Sequence, residues 1–120
     1  MKKMLINLKY KNKNIKIDGE VCKWKFLGLM FSRQESARAL LFDFKKKTRI
    51  SIHSLFVFFP FLAIWIDNED NVLEIRKVFP WNFLIFPKRK FSRLVEIPFN
   101  SKYDDILKFL CSRPHSGFAV

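Results

Sequence analysis

Residues that would divide the chain or cross-link it are scarce. The sequence has three glycines and two cysteines in 120 residues, and it contains no Gly/Ser-rich linker and no internal repeat. Two cysteines are too few for a disulfide framework, so Cys22 and Cys111 are expected to be reduced thiols. A chain of this length suits one hydrophobic core. The sequence therefore predicts a single domain over residues 1–120, with a loose tail at about 112–120.

Segments that would direct the chain to a membrane are also missing. Near the N-terminus only residues 4–6 are continuously apolar, whereas a secretory signal needs a run of about 7–15 such residues. The longest apolar run, residues 55–66, is interrupted by Pro60 and is shorter than the ~20 residues that span a bilayer as a helix. These features predict a cytoplasmic protein without a transmembrane segment.

The sequence contains no motif of a known catalytic or metal chemistry. It lacks G-x-G-x-x-G, G-x-x-x-x-G-K-[ST], H-E-x-x-H and C-x-x-C. Cys111 and His115 have a spacing that suits metal binding, but two ligands are too few for a zinc site and Pro114 favours a frayed tail. We therefore expect no metal and no cofactor, and no residue is assigned as catalytic.

His53 leaves an enzymatic alternative open. An imidazole can titrate near neutral pH, and this histidine lies in an otherwise apolar segment. No carboxylate or cysteine nearby in the sequence is placed to orient the ring, so a half-buried, hydrogen-bonded histidine is the simpler interpretation. The alternative is a concealed polar site that His53 shares with Glu96, which lies on a candidate partner strand.

Apolar and aromatic residues are abundant, at 49% and 17% of the chain, which excludes a disordered protein. The run at residues 55–66 is rich in Phe, Val, Ile and Trp, which favour strands. It is predicted to form two strands, at 52–59 and 62–66, with Pro60 at the bend and with both faces covered. The residues expected to be buried in these antiparallel strands are Phe56, Phe58, Ile64 and Ile66.

Shorter patterns complete the predicted fold. Alternating polarity predicts further strands at residues 5–9, 15–17, 40–44, 72–79 and 94–97. A polar, acidic segment at 67–71 predicts a turn. Residues 45–47 are expected to be a solvated loop. The predicted fold class is mostly β: a compact, antiparallel, barrel-like sandwich with one or two short helices.

The helices are predicted from capping-box patterns. A weak one begins at Ser32 and would start a short helix through Ala39. A better one begins at Ser101, and an amphipathic stripe follows it through residue 110. The stripe that should pack on the barrel consists of Tyr103, Ile106, Leu107 and Leu110. Lys102 and Lys108 should face water.

Positive charge dominates the polar residues. Lys and Arg total 23 against 11 Asp and Glu, a net charge of +12. One explanation of this lysine excess is the base composition of the gene, because Lys, Asn, Ile and Phe are encoded by A+T-rich codons. The other is a surface that attracts anions, such as nucleic acid, acidic lipid heads or acidic proteins.

Two basic runs stand out, at residues 45–49 and 88–93. Trp81 and Phe86 lie close to the second run, and surfaces for single-stranded nucleic acids combine cations for phosphates with rings for base stacking. We predict an exposed patch that binds nucleic acid or another polyanion weakly. The simpler alternative is a solvated loop whose aromatic residues cover the end of the barrel. The predicted patch consists of Lys88, Arg89, Lys90, Arg93 and Trp81.

Five segments, in this order, resemble the family of proteins called domain of unknown function 192. GLMF at 28–31 is similar to the hallmark motif of that family, and LLFDF at 40–44 is similar to the strand that follows. The stretch at 52–75 resembles the family's long hairpin. FPW at 79–81 is similar to a motif of one branch, and LVEIP at 94–98 to a strand that usually carries a glutamate, here Glu96.

The resemblance covers about residues 15–110 and implies a compact, mostly antiparallel barrel-like or sandwich fold with short helices. The chain also departs from the family, because Leu62 stands where most members have an acidic residue. The family also has a Gly-Asp pair near the C-terminus, which this chain lacks. The two aspartates at residues 104–105 are the nearest substitute. The family has no established activity, so the resemblance transfers no catalytic residue. From the sequence as a whole we predict a small soluble binding or accessory domain without catalytic activity, whose ligand and partners the sequence does not name.

Overall fold

The structure is a computed structural model that describes residues 2–22, 29, 33–52, 57–81 and 84–111. These residues form six strands, a 3₁₀ turn at Ser101–Tyr103 and the helix α1 (Asp104–Leu110). The strands are β1 (Lys2–Tyr10), β2 (Lys13–Val21), β3 (Ala39–Thr48), β4 (Phe61–Ile66), β5 (Val72–Val78) and β6 (Phe91–Pro98).

The strands form one curled sheet in the order β1-β2-β3-β6-β4-β5. β2 and β3 pair in parallel over three residues, and the other neighbouring strands pair antiparallel. The two edge strands approach each other at one end, where the Lys9 N–H donates to the Asp70 carbonyl at 2.7 Å. The sheet is therefore a half-barrel, which confirms the predicted mostly β, barrel-like fold.

Strand β4 lies at the centre of the hydrophobic core, with all six residues buried. Leu62, Ile64 and Ile66 contribute to one apolar cluster, which also includes the inward face of helix α1. Ala63 and Trp65 belong to a second cluster on the opposite side of the sheet. The apolar run is thus the middle of a folded core that covers both faces of the strand, as the composition predicts.

The segment before Pro60 departs from the prediction. The strand predicted at 52–59 is absent over residues 57–59, and Ile52 forms only an isolated bridge with Ile85. Phe58 is 59% exposed, so the prediction that it is buried is wrong. Val57 and Phe59 are buried, and in an extended segment successive side chains point to opposite sides. Because only one side of this segment is covered, Phe58 points outward. Phe56 lies outside the described residues.

Two local predictions are also wrong. The helix predicted through Ala39 does not form over the described residues 33–39, since 34–36 make a turn and Ala39 begins β3. The loop predicted at 45–47 is instead the exposed continuation of β3, past an irregularity in its pairing with β6. The predicted turn at 67–71 is present, and Asp67 Oδ1 accepts hydrogen bonds from the backbone N–H of Glu69 and Asn71 at 2.8 and 2.9 Å.

The C-terminal helical segment lies where its pattern predicts. Lys102 and Lys108 are exposed, and Ile106 is partly buried. Its start is not closed by a capping box, because Ser101 donates from both its N–H and its hydroxyl to Glu35 Oε1, at 3.2 and 2.7 Å. The buried stripe residues are Tyr103, Leu107 and Leu110.

Tyr103 connects this segment to the sheet through two hydrogen bonds. Its hydroxyl accepts from the Ala39 N–H at 2.8 Å and donates to the Asp18 carbonyl at 2.7 Å. Tyr103→Phe leaves the buried Ala39 N–H without this partner, so we expect the free energy of unfolding to fall by about 1–3 kcal/mol. Urea denaturation measures the change. Tyr10→Phe is the matched control, because it also removes one hydroxyl group while it keeps the ring that makes an edge contact with Phe109. Equal losses in the two variants would contradict this role of the Tyr103 hydroxyl.

Candidate functional site

The pairing of β3 with β6 brings together two basic runs that are far apart in the sequence. Thr48 pairs with Phe91, so Arg49, which follows β3, and Lys90, which precedes β6, lie at the same end of the ladder. Arg49 Nη2 donates a hydrogen bond to the Pro87 carbonyl at 3.2 Å, and this bond connects the two segments directly. We call the combined set the basic surface: Lys45, Lys46, Lys47, Arg49, Lys88, Arg89 and Lys90.

All seven side chains of the basic surface are exposed. Within the described ranges, none of them forms an ion pair. Among the described residues, two acidic side chains that contact this surface are already engaged. Asp43 accepts a hydrogen bond from the Lys45 backbone N–H at 2.9 Å. Glu74 accepts from the Lys88 N–H at 2.8 Å and is ion-paired with Arg76. The potential at this end of the sheet is therefore positive.

Arg93 lies apart from the exposed cations. Its guanidinium forms an ion pair with Asp70 at 2.8 Å and donates to the Asp67 carbonyl at 3.1 Å, and it is partly buried. Arg93 therefore holds the β4–β5 turn, and its charge is compensated there. Of the basic residues proposed from the sequence, the structure brings Lys88, Arg89 and Lys90 together on the surface.

Large apolar side chains are also exposed, at two places on the described surface. Trp81 is 47% exposed, and its ring makes an edge contact with Phe58 at 5.7 Å between centroids. Ile85 is buried and bridges to Ile52, so its neighbours in the extended segment point outward. Groups of exposed apolar side chains often mark interaction sites. Leu84 and Phe86 are exposed next to Lys88, whereas the other three side chains lie near the end of the sheet where Phe61 pairs with Val78 and Pro98. We call these three the aromatic patch: Phe58, Phe79 and Trp81.

Glu96 has an environment unlike that of the surface residues. It lies on β6 between Leu40 of β3 and Ala63 of β4, and it is 5% exposed. Burial raises the pKa of its carboxyl to about 8, so Glu96 is mostly a neutral acid at pH 7. His53 lies outside the described residues, and the polar site that it would share with Glu96 stays a prediction.

Neither a metal site nor a membrane-spanning helix is found among the described residues. In this part of the chain, no group of three or more His, Cys, Asp or Glu side chains could hold a metal ion. Over the same ranges, no helix has the length and apolar character needed to cross a bilayer.

The fold and the exposed surfaces define a small, β-rich half-barrel domain with a basic exterior. Over residues 11–101 the chain matches the model of the domain of unknown function 192 family, which is described as "Uncharacterized ACR". The chain belongs to this family, and the resemblance found in its motifs is confirmed. The family has no assigned activity.

Curated relatives are similar over much of the chain. A UPF0127 protein of Pyrococcus furiosus is 28% identical over 74 residues, which cover 62% of this chain and 63% of that relative. A UPF0127 protein of Pyrococcus horikoshii is 27% identical over 100 residues, which cover 79% of this chain and 84% of that relative. The match therefore spans less than two thirds of the length of the first relative.

Solved structures share the fold. A "putative transcription regulator" from Sinorhizobium meliloti superposes with a TM-score of 0.69 at 15% identity, covering 88% of this chain and 86% of that one. A protein of unknown function from Novosphingobium aromaticivorans superposes with a TM-score of 0.66 at 11% identity, covering 87% and 78%. At these identities the likeness extends to the fold alone.

Proposed function

We propose that this chain is a non-catalytic binding domain whose ligand is a single-stranded nucleic acid. The observation that carries the proposal is the convergence of two basic runs at one end of the β3–β6 ladder, with the exposed Phe86 ring two residues before Lys88. Lysine and arginine side chains that lack a carboxylate partner are free to neutralise phosphates. Exposed rings can stack on bases only where those bases are unpaired.

The geometry favours an extended ligand. Lys88 is hydrogen-bonded to Glu74 on β5, whereas Trp81 follows the end of β5 at Val78. A strand rises about 3.3 Å per residue, so Glu74 and Val78 are separated by roughly 13 Å. A ligand that contacts both the basic surface and the aromatic patch must span at least that distance, as an unpaired polynucleotide does.

The test is binding of a fluorescent oligouridine, measured by anisotropy at low and at physiological salt. We expect Lys88→Ala/Arg89→Ala to weaken binding and to reduce the slope of log affinity against log salt by roughly 0.7 for each phosphate that is no longer neutralised. We expect Trp81→Ala to weaken binding about 5- to 150-fold, because stacking contributes ~1–3 kcal/mol per base.

The matched control is Lys3→Ala/Lys16→Ala, which removes the same charge elsewhere. Lys3 lies exposed on β1 and Lys16 lies exposed on β2, outside the β3–β6 ladder. Absence of binding at low salt would contradict the proposal. Equal losses in the control and in Lys88→Ala/Arg89→Ala would show a net-charge effect only. Vesicles of anionic lipid, added as competitor, distinguish a membrane surface from a nucleic acid.

A further inference from the structure

Each of the two runs in the basic surface begins at a lysine whose backbone is held by a carboxylate. Asp43 Oδ1 accepts a hydrogen bond from the Lys45 N–H at 2.9 Å. Glu74 Oε1 accepts one from the Lys88 N–H at 2.8 Å. A carboxylate beside exposed cations also repels a polyanion. These two acidic residues therefore act on the basic surface in opposite ways, through their charge and through the position of the backbone.

The backbone of the first run departs from a regular strand at Lys45. Its φ of 59° lies in the left-handed region, which is unfavourable for a residue with a branched backbone carbon. The departure coincides with the irregularity in the β3–β6 pairing between Asp43 and Thr48. Asp43 bonds the backbone two residues further on, and this type of contact stabilises a turn-like conformation. Along this irregular stretch the three consecutive lysines, residues 45–47, are all exposed.

The backbone of the second run is connected to the core through Glu74. The Glu74 side chain is 13% exposed and is ion-paired with Arg76. The Arg76 guanidinium lies over the ring of Trp65, 5.2 Å from its centroid, and this ring is completely buried. Contacts therefore lead from the buried ring through Arg76 and Glu74 to the Lys88 N–H. Support of this kind fixes the position of a residue whose own side chain is exposed, as that of Lys88 is.

We infer that Asp43 and Glu74 are positioning residues of the basic surface, which fix its two runs in the conformation that a phosphate backbone binds. The inference rests on the proposed function, because it describes how the same surface meets its ligand. A segment that is ordered before binding loses less conformational entropy when the ligand binds. The two backbone hydrogen bonds thus raise the affinity for a polyanion, although the charges of the two carboxylates lower it.

The test separates charge from position with two double variants of equal net charge. Asp43→Asn/Glu74→Gln, the amide variant, removes both charges and keeps an oxygen that can accept each backbone N–H. Asp43→Ala/Glu74→Ala, the alanine variant, removes the charges and the acceptors together. Both variants lose the ion pair with Arg76, so a difference between them reports the two backbone bonds. The probes are fluorescent oligouridine and inorganic polyphosphate, which has phosphates but no bases.

We expect the amide variant to bind both probes as tightly as the native chain or more tightly, because two negative charges are removed. The alanine variant should bind both probes about tenfold more weakly than the amide variant, since the two runs must then be ordered by the ligand. Hydrogen exchange gives a readout that charge alone does not move. The amides of Lys45 and Lys88 should exchange faster in the alanine variant than in the amide variant.

Equal affinities of the two double variants for polyphosphate would overturn the inference and leave the proposed function standing. Binding of polyphosphate without binding of oligouridine would contradict the proposed function, and the comparison of the variants would still decide the inference. A native chain that binds neither probe at low salt overturns both. If the alanine variant does not fold, the single variants Glu74→Ala and Glu74→Gln provide the same comparison for the second run, with about half of the effect on a logarithmic scale.

Discussion

Glu96→Gln is expected to stabilise the protein at pH 8 and above, by as much as about 5 kcal/mol. Glu96 is buried between Leu40 and Ala63, and burial raises its pKa from 4.5 to about 8. Glutamine has nearly the same shape and cannot ionise. At this pH a buried glutamate must either carry a charge inside the sheet or take up a proton, and both are unfavourable. The variant removes this cost.

The sign of the pH dependence follows from this shift. Below pH 4.5 the carboxyl is protonated in both the folded and the unfolded chain, so the raised pKa of Glu96 does not lower the free energy of unfolding there. As the pH rises from 4.5 to about 8, the unfolded chain loses the proton and the folded chain keeps it. The free energy of unfolding then falls by about 1.4 kcal/mol per pH unit, and above pH 8 this contribution is constant.

Chemical denaturation of the native chain and of Glu96→Gln, repeated from pH 4 to pH 9, measures the effect. The two curves should converge at the acidic end and diverge as the pH rises. Glu69→Gln is the control, because that side chain is exposed at a turn, and it should follow the native curve. A Glu96→Gln variant that is less stable than the native chain at pH 9 would show that the ionised carboxylate is favourably bound.

Phe61→Ala is expected to lower the free energy of unfolding by about 3–5 kcal/mol, whereas Phe58→Ala should lower it by less than about 1 kcal/mol. The two residues are three positions apart in the same apolar run and lose the same atoms. Phe61 is completely buried in the second apolar cluster, and Phe58 is 59% exposed. The cost arises from the lost burial and from the cavity that remains.

Urea denaturation of both variants measures the difference directly. Phe58 contacts the Trp81 ring, and an exposed aromatic pair contributes only a fraction of the energy of a core ring. Phe58→Ala should therefore be folded well enough for the oligouridine assay, in which it is expected to bind more weakly than the native chain. Similar losses of stability in Phe58→Ala and Phe61→Ala would contradict the outward orientation of Phe58.

Much of the fold could be predicted where the signals are local. The composition of β4, the polar turn at 67–71 and the stripe on α1 each depend on residues close in the sequence, and all three are present. The weaker capping pattern at Ser32 shows the limit of such signals. The partner of Glu35 is Ser101, sixty-six residues away, and it lies outside any local window.

The candidate site could be predicted only in part. Both basic runs are evident in the sequence, but their convergence depends on Thr48 pairing with Phe91. Arg93 belongs to the second run by sequence, yet it faces Asp70 across the sheet, where its charge is compensated. Basic residues that are neighbours in the sequence can therefore have different electrostatic surroundings, because these depend on which distant segments pack against each side chain.

The sequence by itself determined the class of the domain, its central strand and its closing helix, because periodicity and turn chemistry act over a few residues. The tertiary structure alone decided which side of the 57–59 segment is covered, where Glu96 is buried and which cations lie together. Each of these depends on packing or strand pairing between segments that are distant in the sequence. Register is set by the packing of the whole sheet, and a shift of one residue would exchange the buried and exposed faces of a strand.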